Sequence, residues 1–163
     1  MGVSAPDFLE ILRVLVEEEV EFIVVGALSA VFQGAPIMTF DLDIVHKRDE
    51  RNINRLLQAL VRLEASYRGR GEQKLVPAAE HLRSDGHQLL STKFGPLDIL
   101  GTIEDGLTYE ELQPFAVEFS PDEIRFDVLS LSKYIELKES SPREKDRARL
   151  PTLRAIKDEE DLE

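Results

Sequence analysis

The stretch Thr39-Phe40-Asp41-Leu42-Asp43-Ile44-Val45 decides how this chain is read, because two acids sit inside an apolar, strand-forming run. Residues i and i+2 of a strand face the same side. A strand over 38–46 therefore puts Asp41 and Asp43 on one face and Phe40, Leu42 and Ile44 on the other. Two carboxylates so placed repel each other unless a cation lies between them. A hard divalent ion with oxygen ligands, Mg²⁺ or Mn²⁺, matches that need. An isolated Asp-x-Asp equally suits the solvated face of an edge strand, so the flanking residues decide.

Upstream, Glu21–Val25 is a compact β-branched strand ending at Gly26, and 27–33 reads as a short helix stopped by Gly34 and Pro36. The unit is strand, tight turn, helix, then the strand with the two acids. Before it, Phe8, Ile11, Leu12, Leu15 and Val16 recur at helical spacing over 5–19, with Ser4 and Asp7 as a capping pair. After it, Ile53, Leu56, Leu57, Leu60 and Leu63 mark an amphipathic helix over 49–65 with Asp49 as N-cap. From 66 to 86 periodicity disappears, which predicts a long loop with one helical turn near 78–82. Two strands, 88–94 and 97–100, meet through Gly95-Pro96, and the second carries a third acid, Asp98, between Leu97 and Ile99. A hairpin follows over 115–119 and 124–129 around Ser120-Pro121-Asp122. The chain closes with a helix over 130–138 and another from Ser141-Pro142-Arg143-Glu144, interrupted at Pro151, and with a frayed acidic end over 158–163.

Composition bounds the rest. With 163 residues, 42% hydrophobic, the chain suits one domain, a core of about 5–138 with a C-terminal helical segment of about 130–157. No Cys is present, so disulfides and thiolate metal sites are excluded. No run approaches the roughly 18 apolar residues of a membrane span and no signal-peptide pattern opens the chain, so the expected location is the cytoplasm. A net charge of −12 argues against broad DNA or RNA binding. Yet Lys138, Arg143, Lys145, Arg147, Arg149 and Arg154 outnumber three acids over 138–154, and Arg68, Arg70 and Lys74 form a smaller cluster; such patches suit one small polyanion.

This ordered set resembles the nucleotidyltransferase superfamily, in which an apolar residue and a glycine turn precede Asp-x-Asp at the end of a strand. Here the pattern is Val25-Gly26-Ala27, thirteen residues, then Asp41-Leu42-Asp43-Ile44. Gly34, Thr39, Lys138 and Lys145-Asp146 extend the likeness toward the AbiEii-type toxin nucleotidyltransferases, over about 20–156. The resemblance implies an α/β (α+β) nucleotidyltransferase fold, a central mixed sheet flanked by helices with further helices at the C-terminus. It implies transfer of an NMP group from an NTP to a hydroxyl of an RNA, a protein or a small molecule. Asp41, Asp43 and Asp98 become the catalytic and Mg²⁺-holding (or Mn²⁺-holding) residues, because carboxylate-held metal offsets triphosphate charge and aligns attacker with leaving group. Gly26, Ala27, Ser29, Thr39, Lys138 and Lys145 become the nucleotide contacts, with the helix after Gly26 aiming backbone N–H groups at phosphate. Asp146 orients the final helices. The implied partners are the NTP, the acceptor, and a cognate antitoxin or a second copy of the chain, the latter through the β segments at 115–129.

Two positions depart from that pattern. Ala27 stands where Gly or Ser is usual, and Ile37 where many AbiEii-type sequences carry Arg; Arg68 and Arg70 in the long loop are candidates to replace it, and otherwise its absence marks a weak or altered activity. These departures leave an alternative open, a weak or inactive domain of the same fold that binds a nucleotide or a protein. Asp127, between Phe126 and Val128, has the same context as Asp98 and competes with it for the third position. His46 reads as an exposed residue at a strand end, and His81 and His87 have no metal-ligand spacing.

Overall fold

The structure, a computed structural model, describes residues 6–161. Its element order follows the pattern above: α1 (Phe8–Glu17), β1 (Phe22–Val25), α2 (Gly26–Phe32), β2 (Leu42–His46), α3 (Glu50–Arg62), β3 (Ser66–Tyr67) and α4 (Ala79–Arg83). There follow β4 (His87–Thr92), β5 (Gly95–Leu100), α5 (Tyr109–Leu112), β6 (Ala116–Phe119), β7 (Phe126–Leu129), α6 (Leu131–Glu139) and α7 (Glu144–Asp161). The strands form one mixed sheet in the order β3-β4-β5-β2-β1-β7-β6. β2 runs antiparallel to β1 and parallel to β5, and β1 runs parallel to β7.

Alternation along the central strands sorts the core. Val24, Leu42, Ile44, Leu97, Ile99 and Val128 face α1 and α3 and pack on Ile11, Leu12, Leu15, Ile53 and Leu56. Ile23, Val25, Val45, Leu100 and Leu129 face the other way, against Ile103 and Leu112. A third cluster ties α2 to the C-terminal helices through Ala30, Leu131, Tyr134, Ile135, Leu150 and Leu153. Among the described residues no helix is long and apolar enough to cross a membrane.

Several expectations change. Ser4 lies outside the described residues, and the Asp7 carboxylate caps α1 by accepting from the Glu10 N–H (3.3 Å). The strand expected over 38–46 begins only at Leu42, because β1 ends at Val25 opposite Asp43 and the chain then turns into α2, so 38–41 have no partner there. Met38 and Phe40 are consequently exposed. The loop over 66–86 contains a short edge strand, β3, paired with β4. α7 begins at Glu144, so Pro142 precedes the helix, and it continues through Pro151, which lies exposed while Leu150 and Leu153 are buried against α6 and α2. The end expected to fray is helical to Asp161.

His46 is not exposed. It is buried, and its Nε2 donates to the Leu82 carbonyl at 2.7 Å, tying β2 to α4; burial lowers its pKa. Asn52, in the first turn of α3, is buried without having been anticipated. Its Oδ1 accepts from the Glu21 N–H (2.7 Å), and its Nδ2 donates to the carbonyls of Glu21 (2.9 Å) and Lys47 (2.7 Å). One amide thus pins the helix to the entrance of β1 and the exit of β2. Asn52→Ala removes the acceptor of the Glu21 N–H and the donor to the Lys47 carbonyl, while the Glu21 carbonyl keeps the Lys47 N–H (3.2 Å), and is expected to lower stability by about 1–3 kcal/mol in denaturant unfolding; a loss under about 0.5 kcal/mol, the range of ordinary surface changes, contradicts the pin.

Candidate active site

Sheet register assembles the acidic centre. Asp43 on β2 is the Cα partner of Asp98 on the parallel strand β5, and on its other side it faces Val25, the last residue of β1. The two acids therefore project side by side from one face, although 55 positions separate them in the sequence. Asp127 shares that face but sits opposite Ile23, two residues along β1 from Val25, beside Glu118 and Tyr109. It does not join the pair.

Gly26 fixes how Asp43 sits. It has φ +69° at the junction of β1 and α2, and a Cβ there would fall on Asp43 Oδ2. Only a residue without a side chain lets the carboxylate lie against the start of the helix. Asp43 Oδ1 is buried and has no hydrogen-bond partner. Burial above all, then the neighbouring carboxyl of Asp98 and the charge of Asp41, raises the Asp43 pKa to about 7, with Arg68 pulling the other way.

Asp41 precedes β2 and adjoins the pair rather than completing it. Among the described residues no three His, Cys, Asp or Glu side chains form a ready-made cation cluster. The cation beside Asp98 is Arg68, which donates to Asp98 Oδ1 at 2.6 Å and to the Leu90 carbonyl at 2.7 Å. The donor set still suits a hard divalent ion: two carboxylates, one with an unpartnered buried oxygen, match the way Mg²⁺ is commonly held by one or two carboxylates plus substrate phosphates.

A cleft of about 460 Å³ opens over this centre, between the sheet and the C-terminal helices. Gly26, Asp43, Asp98, Tyr134, Lys138 and Arg143 are among the residues lining it. Lys138 Nζ lies 3.8 Å from Glu104 Oε1 and 3.7 Å from Asp146 Oδ2, with Tyr134 beneath it at 5.3 Å from the ring centre. Asp146 is buried and accepts from Ser141 Oγ at 2.6 Å, which locks the turn between α6 and α7.

Other residues singled out in the sequence are placed differently. Ser29 is fully buried and its hydroxyl donates to the Gly26 carbonyl (2.6 Å), so it shapes the turn and does not reach the cleft. Thr39 Oγ1 donates to the Asp41 carbonyl (3.1 Å) and shapes the approach to β2. Ala27, half-buried, contributes backbone at the start of α2. Lys145 is exposed and lies off the cleft; Arg143, two residues earlier, lines it instead. Arg143, Tyr134, Glu104 and His87 were missed as lining residues, and only the basic run at 138–154 pointed toward the first of them.

No sequence-family profile and no curated protein sequence matches the chain. Solved structures do resemble it. The lincosamide antibiotic adenylyltransferase LnuA, with lincomycin bound, superimposes with a TM-score of 0.59 at 15% identity over 91% of this chain and 95% of its own. TM1012 of Thermotoga maritima, whose description as a nucleotidyltransferase is itself provisional, gives 0.55 at 18% identity over 96% and 91%. The antibiotic-resistance factor ANT(2'')-Ia gives 0.53 at 12% identity over 90% and 80%. The chain therefore has a nucleotidyltransferase fold, and these likenesses do not bear on the AbiEii-type resemblance.

Two outcomes follow from this geometry. Gly26→Ala is expected to destabilise by about 1–3 kcal/mol, and much less in an Asp43→Ala background, where the obstructing carboxylate is gone; equal costs in both backgrounds break the link. The second concerns pH. The Asp43 carboxyl titrates near 7 in the fold against 3.8 ordinarily, so the folded chain holds its proton more tightly across that interval. Its contribution to stability is present below the lower value and is lost as pH rises through the upper one. In metal-free buffer, Asp43→Asn should stabilise the protein by on the order of 1–3 kcal/mol at pH 8 and by less at pH 5; the same gain at both values is the contrary result.

Proposed function

We propose that this protein is a metal-dependent nucleotidyltransferase that moves an NMP group from an NTP to a hydroxyl acceptor. The observation that carries the reading is the Asp43–Asp98 pair, set in register against Gly26 and left with an unsatisfied buried oxygen at the floor of an open cleft. No stability argument explains such a pair, because like charges brought together at a buried position cost free energy.

Asp43 and Asp98, with Asp41 at the margin, hold Mg²⁺ or Mn²⁺, which when bound offsets phosphate charge and aligns the attacking and leaving oxygens. Gly26 and Ala27 offer backbone at the start of α2 for close approach of phosphate. Lys138 and Arg143 supply positive charge from the opposite wall of the cleft, and Tyr134 an aromatic surface beside Lys138. Asp98 takes, or orients, the proton of the acceptor hydroxyl as that oxygen bonds to the α-phosphorus and pyrophosphate leaves. The motif likeness to AbiEii-type toxins supports a toxin role with a cognate antitoxin, whereas the likeness in fold to the lincosamide adenylyltransferase LnuA, with lincomycin bound, supports a small-molecule acceptor.

A second reading has its own observation. Arg68 already satisfies Asp98, and Asp41 stands apart from a three-carboxylate site, as suits an inert domain that binds a nucleotide or a protein partner. Labelled NTPs incubated with the protein, Mg²⁺ or Mn²⁺ and candidate acceptors separate the two. Transfer should fall at least about 100-fold in Asp43→Ala, and calorimetry should show NTP affinity that depends on the metal. Absence of metal-dependent NTP binding, with partner binding intact in Asp41→Asn, favours the inert domain.

A further inference from the structure

A second cavity, of about 610 Å³, lies at the β3–β4 edge of the sheet beneath the loop that follows β3. We infer that this groove is the acceptor site and that it takes a hydroxyl compound carrying a phosphate. The inference rests on the transferase reading above and adds the class of the second substrate.

Continuity with the acidic centre is the first argument. Arg68 follows β3 and its N–H donates to the Leu89 carbonyl; Leu89 is the Cα partner of Asp98, and Asp98 of Asp43. One row thus crosses a single face of the sheet from Arg68 through Leu89 and Asp98 to Asp43. His87 and Leu89 line both cavities, so groove and cleft adjoin at these two residues, and Leu89 is the cross-strand partner of Asp98 in the cleft. Gly26 and α2 border the Asp43 end of that row, and the groove extends from the other end. A compound lying in the groove brings its hydroxyl to Asp98 from the side opposite the glycine turn.

Charge is the second argument. The chain has 32 acidic residues among 163, yet among the described residues no Asp or Glu lines the groove. Arg68, Arg70, His81 and His87 do. Arg68 is engaged with Asp98, whereas the Arg70 guanidinium has neither an acidic partner nor a hydrogen bond among the described residues and stays available to an incoming anion. The Arg70 guanidinium, together with the His81 ring, whose Nδ1 accepts from the Ala78 N–H and so leaves Nε2–H to donate, favours an anionic group and disfavours a polycation, while His87 Nε2 is taken by the Thr102 carbonyl. Leu75, Val76 and Leu89 are 47%, 65% and 46% exposed and offer an apolar wall for the body of the compound. The volume falls within the roughly 300–1,000 Å³ common for small-molecule sites.

In the reaction so arranged, the acceptor oxygen forms a bond to the α-phosphorus of the NTP and the bond from that phosphorus to the pyrophosphate oxygen breaks. The hydroxyl proton passes to Asp98, the electron pair of the broken bond leaves with pyrophosphate, and nothing is oxidised or reduced. Arg70 grips the phosphate of the acceptor and takes no part in bond making.

Equilibrium binding without NTP or metal tests the site. Ribose 5-phosphate and a short oligoribonucleotide with a free 3′-hydroxyl represent phosphate from a free metabolite and from a strand end, and ribose is the uncharged control. At least one phosphate probe should bind at least about tenfold more tightly than ribose, weaken about 10- to 100-fold in Arg70→Glu, and be unaffected in Asp43→Ala. Which of the two binds identifies the source. The inference is overturned if neither outcompetes ribose, if Arg70→Glu changes nothing, or if a polycationic aminosugar binds more tightly than both. NTP affinity with Mg²⁺, measured in parallel, should survive Arg70→Glu and vanish in Asp43→Ala. Silent phosphate probes beside intact NTP binding overturn the acceptor site alone, whereas absent NTP binding in the unaltered protein overturns the transferase reading and with it the acceptor role.

Discussion

Asp43 and Asp98 are held side by side by the hydrogen-bond ladder of two parallel central strands, and neither can withdraw without disrupting the middle of the sheet. That enforced pairing of like charges organises the surrounding structure. β1 stops one residue short of Gly26, so that backbone without a side chain meets the Asp43 carboxylate, and α2 starts at the same residue because the chain must leave the sheet there. On the other flank Arg68 reaches from beyond β3 to Asp98. The core faces of the same strands are uninterrupted Leu, Ile and Val, which provides the burial that tolerates the repulsion.

In a chain with a net charge of −12, four of the 20 Lys and Arg residues flank the acidic centre: Arg68 and Arg70 toward the β3–β4 edge, Lys138 and Arg143 toward the C-terminal helices. Lys138 is itself flanked by Glu104 and Asp146, which hold it at the wall of the cleft without burying it in a single tight pair. The Ser141–Asp146 hydrogen bond makes the turn between α6 and α7 part of the site, so the two last helices shape the cleft as well as cover α2.

Much of this was legible in the order of residues. Period-two and period-3.6 patterns located the central strands and the long helices, since alternation is set by which face must be buried. Asp43 and Asp98 stood out because an acid in an apolar strand is costly, and Gly26 because a turn between strand and helix needs positive φ. Errors gathered where pairing decides the outcome. Residues 38–41 have strand-like composition but no neighbour, since β1 has already ended opposite them. Ser29 and Thr39 have hydroxyls suited to phosphate, yet backbone carbonyls nearby claim both. His46 and Asn52 resemble surface polar residues in sequence and are buried because backbone groups from other segments pair with the His46 Nε2 and with the Asn52 amide.

By itself the sequence determined the kinds of element, the acids that had to be explained and the glycine that had to be a turn, because these depend on local sterics and on the burial period of a strand or helix. Only the tertiary structure decided which acids meet, that Asp98 and not Asp127 lies beside Asp43, that Arg68 is the counter-charge, and that Arg143 rather than Lys145 lines the cleft. Those choices rest on strand register and on the path of the chain between strands, and a shift of one residue in either would turn the same side chains to opposite faces of the sheet.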